Sequence, residues 1–203
     1  PDVVAAHLSQ DPLLANAVTH NPGLRVPGAF DGFELAVRAI LGQQVTVKGA
    51  TTLAGRFVNA FGEPIETPHA GLTRLSPSTE RVSAATADDI ASLGIIQSRA
   101  RSIIAIAQEL DSGRLTLDAG AEPDRTIAQL VALPGIGQWT AHYIAMRALR
   151  WPDAFPKEDI VLRKRLGGVS AARAGELSRE WSPWRSYATL HLWQHDTCKS
   201  EIS

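Results

Sequence analysis

The sequence predicts an all-α protein with two lobes, and three observations support this. Apolar residues recur at the three- and four-residue spacing of helices, no run alternates like a half-buried strand, and segments containing glycine or proline separate the periodic stretches. A chain of 203 residues suits one large domain or two small lobes, and 44% hydrophobic residues are enough to build a core.

The first predicted helix covers residues 30–41. Asp31 is its expected N-cap, and Glu34 follows three residues later as in a capping box. The apolar stripe of this helix contains Phe33, Val37, Ile40 and Leu41. After Gly42 a second helix is predicted at about 45–61, with Val45, Leu53, Phe57 and Val58 facing inward.

The rest of the chain continues the helical pattern. A loop rich in proline and glycine is predicted at 62–77. Helices are then expected at about 78–85, 87–93, 97–110, 124–132 and 138–149 and, after the loop 151–158, at 159–166, 171–181 and 183–196, with Pro183 in the first turn of the last one.

The composition restricts the location and the partners. The start, PDVVAAHLSQDP, has no basic region followed by an apolar stretch, and no apolar run approaches a membrane span. The single cysteine, Cys198, excludes an internal disulfide and a four-cysteine cluster, so we expect a cytoplasmic protein without membrane contact. Net charge is −1, but residues from Val131 onward carry ten Lys/Arg against seven Asp/Glu, a net of +3. A basic face and ordinary solvated helices explain that excess equally well.

A glycine-rich turn, Leu133-Pro134-Gly135-Ile136-Gly137, separates two predicted helices. Glycine permits positive φ and a close approach of another chain, and the free N–H groups at the start of a helix attract anions. A plain helix connection would explain two glycines alone. With Gln138, Trp139 and Thr140 following, the turn predicts a grip on a DNA phosphate.

The segment LPGIGQWTA resembles the hairpin of the helix-hairpin-helix DNA glycosylase superfamily, above all its alkylation-repair branch, the 3-methyladenine DNA glycosylase II (AlkA-type) family. Three further segments are similar to that family in the same order, and the resemblance covers roughly 21–196: Asn21-Pro22-Gly23-Leu24-Arg25, the run Phe33 to Val45, and Trp184-Arg185-Ser186-Tyr187-Ala188 with Leu190-His191-Leu192-Trp193. The N-terminal β-rich domain that many AlkA-type enzymes carry is not part of this sequence.

The resemblance implies a fold and an activity. The expected architecture is a central lobe at 31–150, containing the helix-hairpin-helix at about 124–149, and a second lobe made of 1–30 and 151–203, with the active-site cleft between them. The expected activity is that of a base excision repair glycosylase. It flips alkylated purines of the 3-methyladenine and 7-methylguanine type out of double-stranded DNA, hydrolyses the N-glycosidic bond and leaves an abasic site.

Asp159 is the catalytic carboxylate that the resemblance implies. Cleavage of an N-glycosidic bond develops positive charge on the sugar, which a carboxylate stabilises while it orients water. An alkylated purine already carries positive charge, so it leaves without a general acid. Glu158 is the neighbouring alternative and Asp153 a weaker one, and Asp159 is also suited to cap the helix that follows.

Position 139 separates two reaction types within the superfamily. Relatives that also cut the DNA strand have a lysine there, whose amine attacks the sugar. This chain has Trp139, which implies a monofunctional enzyme without lyase activity. The endonuclease III type carries an iron–sulfur cluster, which the single cysteine excludes.

Aromatic residues are expected to form the base pocket. Trp139 and Tyr143 lie one helical turn apart, the resemblance adds Trp193, and Phe30 joins by its place before the first helix. Electron-rich rings attract a cationic base. The alternative is that these rings fill the core, as we expect for Trp151, Trp181 and Trp184.

An extruded base leaves a gap in the duplex that a side chain must fill. The resemblance places Gln44, or else Gln43, in that gap. A polar residue at a helix start is the plainer explanation of both glutamines.

Backbone contacts are expected from Gly135, Gly137, Gln138 and Thr140 and, beyond Asp159, from Arg163 and Lys164. His20, His142, His191 and His195 show no metal-ligand spacing, so no catalytic metal or cofactor is expected. A monovalent or Mg²⁺ ion on the hairpin carbonyls near 133–137 stays open.

The expected partner is double-stranded DNA with alkylated bases, bound by a monomer. Two other functions remain open: a glycosylase for another lesion, such as hypoxanthine or an oxidised base, and a non-catalytic DNA-binding module.

Overall fold

The computed structural model describes residues 2–194 of the chain. Within that range it contains twelve α-helices, one short 3-10 helix at Ser178–Trp181 and no strand beyond an isolated bridge, so the predicted all-α class is confirmed. The helices are α1 (Asp2–Leu8), α2 (Pro12–His20), α3 (Gly32–Leu41), α4 (Val47–Phe61), α5 (Thr79–Ser83), α6 (Ala87–Ala91), α7 (Gln97–Asp111), α8 (Pro123–Val131), α9 (Gln138–Arg147), α10 (Ile160–Arg165), α11 (Ala171–Leu177) and α12 (Arg185–Gln194).

Polar side chains begin most of these helices. Asp31 caps α3 by accepting from the backbone N–H of Phe33 at 2.7 Å and of Glu34 at 3.1 Å. The predicted capping box is wrong, because the Glu34 carboxylate pairs with Arg38 at 2.7 Å instead of returning to the cap. The helix therefore has a one-sided cap and an i,i+4 ion pair on its exposed face.

The boundaries differ from the sequence patterns in several places. Helices α1 and α2 were not predicted, although Asp11 before Pro12 is a helix-start signal, and Asp11 does cap α2. Val45 lies before α4 and is 38% exposed, so its predicted inward position is wrong. The last helix begins at Arg185, which leaves Pro183 outside it.

Two hydrophobic cores organise the described residues. One is built by α3 to α9 around fully buried Ile40, Ile103 and Ile144. The other joins α1 and α2 to the segment from Phe155 to Leu192, and Trp181 lies in it against the edge of Phe155 at 5.8 Å. No helix among residues 2–194 is long and apolar enough to cross a membrane.

The loop after α9 passes from the first core to the second and is fastened by an ion pair. Arg185 donates to both carboxylate oxygens of Asp153, at 2.8 and 2.7 Å, and the Ser182 hydroxyl donates at 2.9 Å. Burial acts to raise the pKa of Asp153, but these hydrogen bonds outweigh it and hold the pKa below its usual range. Asp153 is therefore a structural residue, and its weak candidacy for catalysis is dropped.

Candidate active site

Asp159 lies where the two cores meet, at the N-terminus of α10. One carboxylate oxygen, Oδ1, accepts from the backbone N–H of Leu162 at 2.8 Å, so Asp159 is the N-cap of this helix. The residue is only 9% exposed. Capping and catalysis are compatible, because the cap fixes the carboxylate and still leaves lone pairs on both oxygens.

Two tryptophans hold the same carboxylate from other elements. The indole N–H of Trp139, in the first turn of α9, donates to Oδ2 at 2.7 Å. The indole N–H of Trp193, on α12, donates to Oδ1 at 3.2 Å. Both rings are half-buried. Three N–H donors from three helices therefore fix the orientation of Asp159 before any ligand arrives.

Tyr143 stacks on Trp139, with ring centroids 5.3 Å apart and an interplanar angle of 7°. One turn further along α9, Arg147 donates to the Tyr143 hydroxyl at 3.0 Å and places its guanidinium 5.6 Å from the ring centroid. The Tyr143 ring is therefore flanked by residues one turn before and one turn after it. This arrangement makes Tyr143 a support for Trp139.

The hairpin between α8 and α9 has the backbone expected for a close approach. Gly135 has a φ of +75°, and a Cβ there would lie 2.4 Å from the Ser102 hydroxyl oxygen. Gly137 begins α9 without a side-chain cap, so the first N–H groups of α9 have no capping side chain. Four carbonyls of the hairpin already accept hydrogen bonds: Leu133 from the Ile136 N–H at 3.3 Å, Pro134 from Ser102 at 2.7 Å, Gly135 from Gln43 at 3.2 Å and Gly137 from the Ala141 N–H at 3.0 Å. Each keeps a second lone pair, so an ion on the hairpin stays a prediction.

The residues predicted to contact the DNA backbone differ in their exposure. Gln138 and Lys164 are exposed, whereas Arg163 is half-buried and donates through Nε to the Val169 carbonyl at 2.9 Å. The Thr140 side chain is 3% exposed and accepts a hydrogen bond from Gln43. The side chain of Thr140 is therefore engaged within the protein, and a contact between Thr140 and the DNA backbone stays a prediction.

The two glutamines of the turn between α3 and α4 have different surroundings. The Gln43 side chain points inward to the hairpin, where it contacts Gly135 and Thr140. Gln44 is exposed and has a φ of +53°, a left-handed conformation that is uncommon outside glycine. Of the two, Gln44 has the free side chain.

Phe30 lines a cavity whose lining includes neither Trp139 nor Asp159. Phe30 is fully exposed at the rim of this cavity of about 460 Å³, which also involves Arg150, Trp151 and Tyr187. That cavity lies toward the C-terminal end of α9, whereas Trp139 and Asp159 meet at its N-terminal end. The extended segment before Asp31 carries Phe30 toward the C-terminal end of the helix, and its place in the base pocket stays a prediction.

Glu158, the alternative carboxylate, has a different environment from Asp159. Its Oε2 is buried and has no hydrogen-bond partner among the described residues. Its charge acts on His142, whose pKa is lowered by burial and only partly restored by the carbonyl of Gln138 and by Glu158. No aromatic N–H is directed at Glu158, so the geometry favours Asp159.

Sequence reasoning missed Arg99, Ser102 and Arg147. Arg99 and Ser102 are 9% and 2% exposed and lie on the face of α7 that packs against the hairpin and the glutamine turn. The sequence did offer a signal for Arg99 and Ser102, since both fall on the same helical stripe as Ile95, Ile103 and Ile106. Buried polar groups in an apolar stripe require hydrogen-bond partners.

The fold is that of a DNA glycosylase. Over 97% of this chain and 70% of the other, it superposes on the 3-methyladenine DNA glycosylase from Archaeoglobus fulgidus with a TM-score of 0.77 and 23% sequence identity. The chain belongs to the HhH-GPD superfamily of base excision DNA repair proteins, whose sequence model matches residues 37–184. The resemblance inferred from the hairpin is thus confirmed at the level of the family.

Two curated relatives add detail. A Mycobacterium tuberculosis protein named "Probable bifunctional transcriptional activator/DNA repair enzyme AlkA" is 45% identical over 197 residues, which is 95% of this chain and 39% of that protein. Escherichia coli "DNA-3-methyladenine glycosylase 2" is 36% identical over 172 residues, 85% of this chain and 60% of that protein. The chain therefore spans less than two thirds of the length of either relative.

Proposed function

We propose that this protein is a monofunctional DNA glycosylase that removes alkylated purines and leaves an abasic site. The observation that carries the proposal is Asp159, which the N–H groups of Trp139, Trp193 and Leu162 fix at the start of α10, the first helix after the hairpin helix. A carboxylate that is already oriented pays no reorganisation cost when positive charge appears beside it. The relatives named for 3-methyladenine glycosylase activity support the choice of substrate.

Binding of the duplex begins at the hairpin in this proposal. The uncapped N–H groups at the start of α9 bind one phosphate, with the helix dipole favouring its negative charge. Exposed Lys164 adds a positive charge near Asp159. The exposed Gln44 enters the stack and fills the space left by the extruded nucleotide.

The extruded base is held beside Trp139 and Trp193. A methylated purine is cationic, and both the ring faces and the Asp159 carboxylate attract it. Tyr143 backs Trp139 through the 5.3 Å stack. The Arg147 guanidinium, close to Tyr143, would repel a cation at that end, so the base lies at the tryptophan end of the aromatic row.

The bond between C1′ and the purine nitrogen then breaks, and the base leaves with the bonding electron pair as a neutral molecule. Positive charge develops on C1′ and the ring oxygen of the sugar, next to Asp159. Water adds to C1′ and loses a proton, either to Asp159 or to solvent. Trp139 occupies the place of the lysine in strand-cutting relatives, which supports hydrolysis without a covalent amine intermediate.

The test is release of free bases from three duplexes that carry methylated purines, hypoxanthine or 8-oxoguanine, followed by gel analysis of strand breaks. The proposal predicts release of methylated purines and strand breaks only after alkaline treatment. Release from another duplex alone would reassign the lesion. Tight binding to an abasic duplex with no release from any substrate would identify a binding module and refute the proposed activity.

A further inference from the structure

The turn that presents Gln44 is held against the hairpin by a group of polar contacts that the reaction itself does not use. The Gln43 Nε2 donates to the Gly135 carbonyl at 3.2 Å and to the Thr140 hydroxyl at 3.1 Å, across 92 and 97 residues of sequence. Arg99, on α7, donates to the Gln43 backbone carbonyl. We call Gln43 and Arg99 together the turn bracket.

The bracket acts directly on the backbone of Gln44. The Gln43 carbonyl and the Gln44 nitrogen belong to the same planar peptide unit. A donor that holds this carbonyl therefore fixes the orientation of that plane, and the φ of Gln44 is the rotation of its N–Cα bond relative to the plane. That φ is +53°, a strained conformation for a residue other than glycine, and it persists only when neighbouring structure enforces it. The Arg99 contact supplies that enforcement.

Helix α7 also contacts the hairpin itself. Ser102, three residues after Arg99, donates to the Pro134 carbonyl at 2.7 Å, and the absence of a side chain at Gly135 lets the helix approach. One face of α7 thus holds both the glutamine turn and the hairpin. The distance between a phosphate bound at the hairpin and the inserted Gln44 side chain is then set by the contacts of both segments with α7.

We propose that Gln43 and Arg99 are positioning residues that couple the hairpin's grip on the backbone to insertion of Gln44 into the duplex. Neither residue touches DNA in this proposal, which rests on the proposed function. Because the Gln43 amide donates to Gly135 and Thr140 and Arg99 is buried, their effect on DNA is expected to pass through Gln44 and the hairpin.

The test is a double-mutant cycle between Gln43→Met and Gln44→Ala. Methionine keeps the length of the side chain and removes its N–H donor. Two readouts are used at saturating protein: single-turnover release of methylated purine from duplex and from single-stranded DNA, and the fluorescence of 2-aminopurine opposite an abasic-site analogue in a duplex. Arg99→Met is measured in parallel, with exposed Arg101→Met on the same helix as its matched control.

If the bracket positions Gln44, Gln43→Met loses two neutral hydrogen bonds, which lowers single-turnover release from the duplex by about tenfold and reduces the change in 2-aminopurine fluorescence on binding. It has no further effect once Gln44 is alanine, and it leaves release from single strands unchanged. Equal losses with and without the Gln44 side chain, or equal losses on single strands, would overturn the proposal. Thermal melting confirms that each variant is folded.

The outcomes separate this inference from the proposed function. A non-additive fluorescence cycle without base release supports the bracket and refutes the glycosylase activity. Base release together with an additive cycle supports the glycosylase activity and refutes the role of the bracket. A folded wild-type protein that gives neither release nor a fluorescence change overturns both.

Discussion

Replacing Trp139 with phenylalanine removes the donor that lies 2.7 Å from Asp159 Oδ2 and keeps an aromatic ring on the face of Tyr143. The same change at Trp193 removes the donor at 3.2 Å from Oδ1. In both variants the carboxylate keeps its bond from Leu162 at 2.8 Å, so it stays in place but loses part of its orientation. We expect the chemical step to slow more than binding.

The magnitude follows from the strength of a hydrogen bond to a charged group, about 1.5–3 kcal/mol. Since about 1.4 kcal/mol corresponds to a tenfold change in rate, Trp139→Phe should slow base release by roughly 10- to 150-fold. The longer contact of Trp193 places Trp193→Phe near the lower limit, at about tenfold.

The assay is single-turnover release of methylated purine with protein in excess, so that DNA affinity does not enter the rate constant. Trp184→Phe is the matched control, because Trp184 packs edge-on against Tyr187 at 5.9 Å and has no hydrogen bond to Asp159. Wild-type rates for Trp139→Phe, or equal losses in all three variants, would refute the claim that indole donors orient the carboxylate.

Three other changes test the fold around the site. Gly135→Ala forces a Cβ to within 2.4 Å of the Ser102 hydroxyl at a positive φ, and should lower the free energy of unfolding by about 2 kcal/mol or more in urea titrations. Gly137→Ala is the control, because its Cβ meets nothing within 4 Å and should leave the free energy of unfolding unchanged. Asp153→Ala leaves Arg185 unpaired and should lower the free energy of unfolding by about 2–3 kcal/mol. Because the pKa of Asp153 is depressed in the folded state, this contribution is present above about pH 4 and is lost as pH falls through the folded pKa. Equal unfolding midpoints for the variant and the wild type at pH 7 would contradict the prediction. Burial lowers the pKa of His191, so the unfolded state binds more protons and the free energy of unfolding should fall below about pH 6.5. In urea titrations between about pH 7 and 5, His191→Gln should flatten that fall. An unchanged slope would exclude His191 as its source.

Features encoded by neighbouring residues were predictable from the sequence. The glycines of the hairpin, the start of α9 and the carboxylate at the start of α10 each have a local cause in turn or capping chemistry. The one-turn spacing of Trp139 and Tyr143 likewise placed their rings on one face of a helix, where the structure stacks them. These signals located the candidate site to within a few residues.

Contacts between distant segments were not predictable in the same way. Nothing local indicates that the Gln43 side chain reaches Gly135, or that Trp193 donates to Asp159 across 34 residues. The role given to Trp193 changed for this reason, from a ring that stacks on a base to one that also orients the carboxylate. The position of Phe30 has no local signal either, because the direction of an extended segment depends on the packing of the lobes.

The central claim is that Asp159 stabilises the charge formed when the base leaves, and the direct test is Asp159→Asn on methylated duplex DNA. Asparagine keeps the size of the side chain and removes its negative charge. We expect single-turnover release to fall by about 100-fold or more while affinity for an abasic duplex is retained. Release at the wild-type rate by a folded Asp159→Asn protein would contradict it.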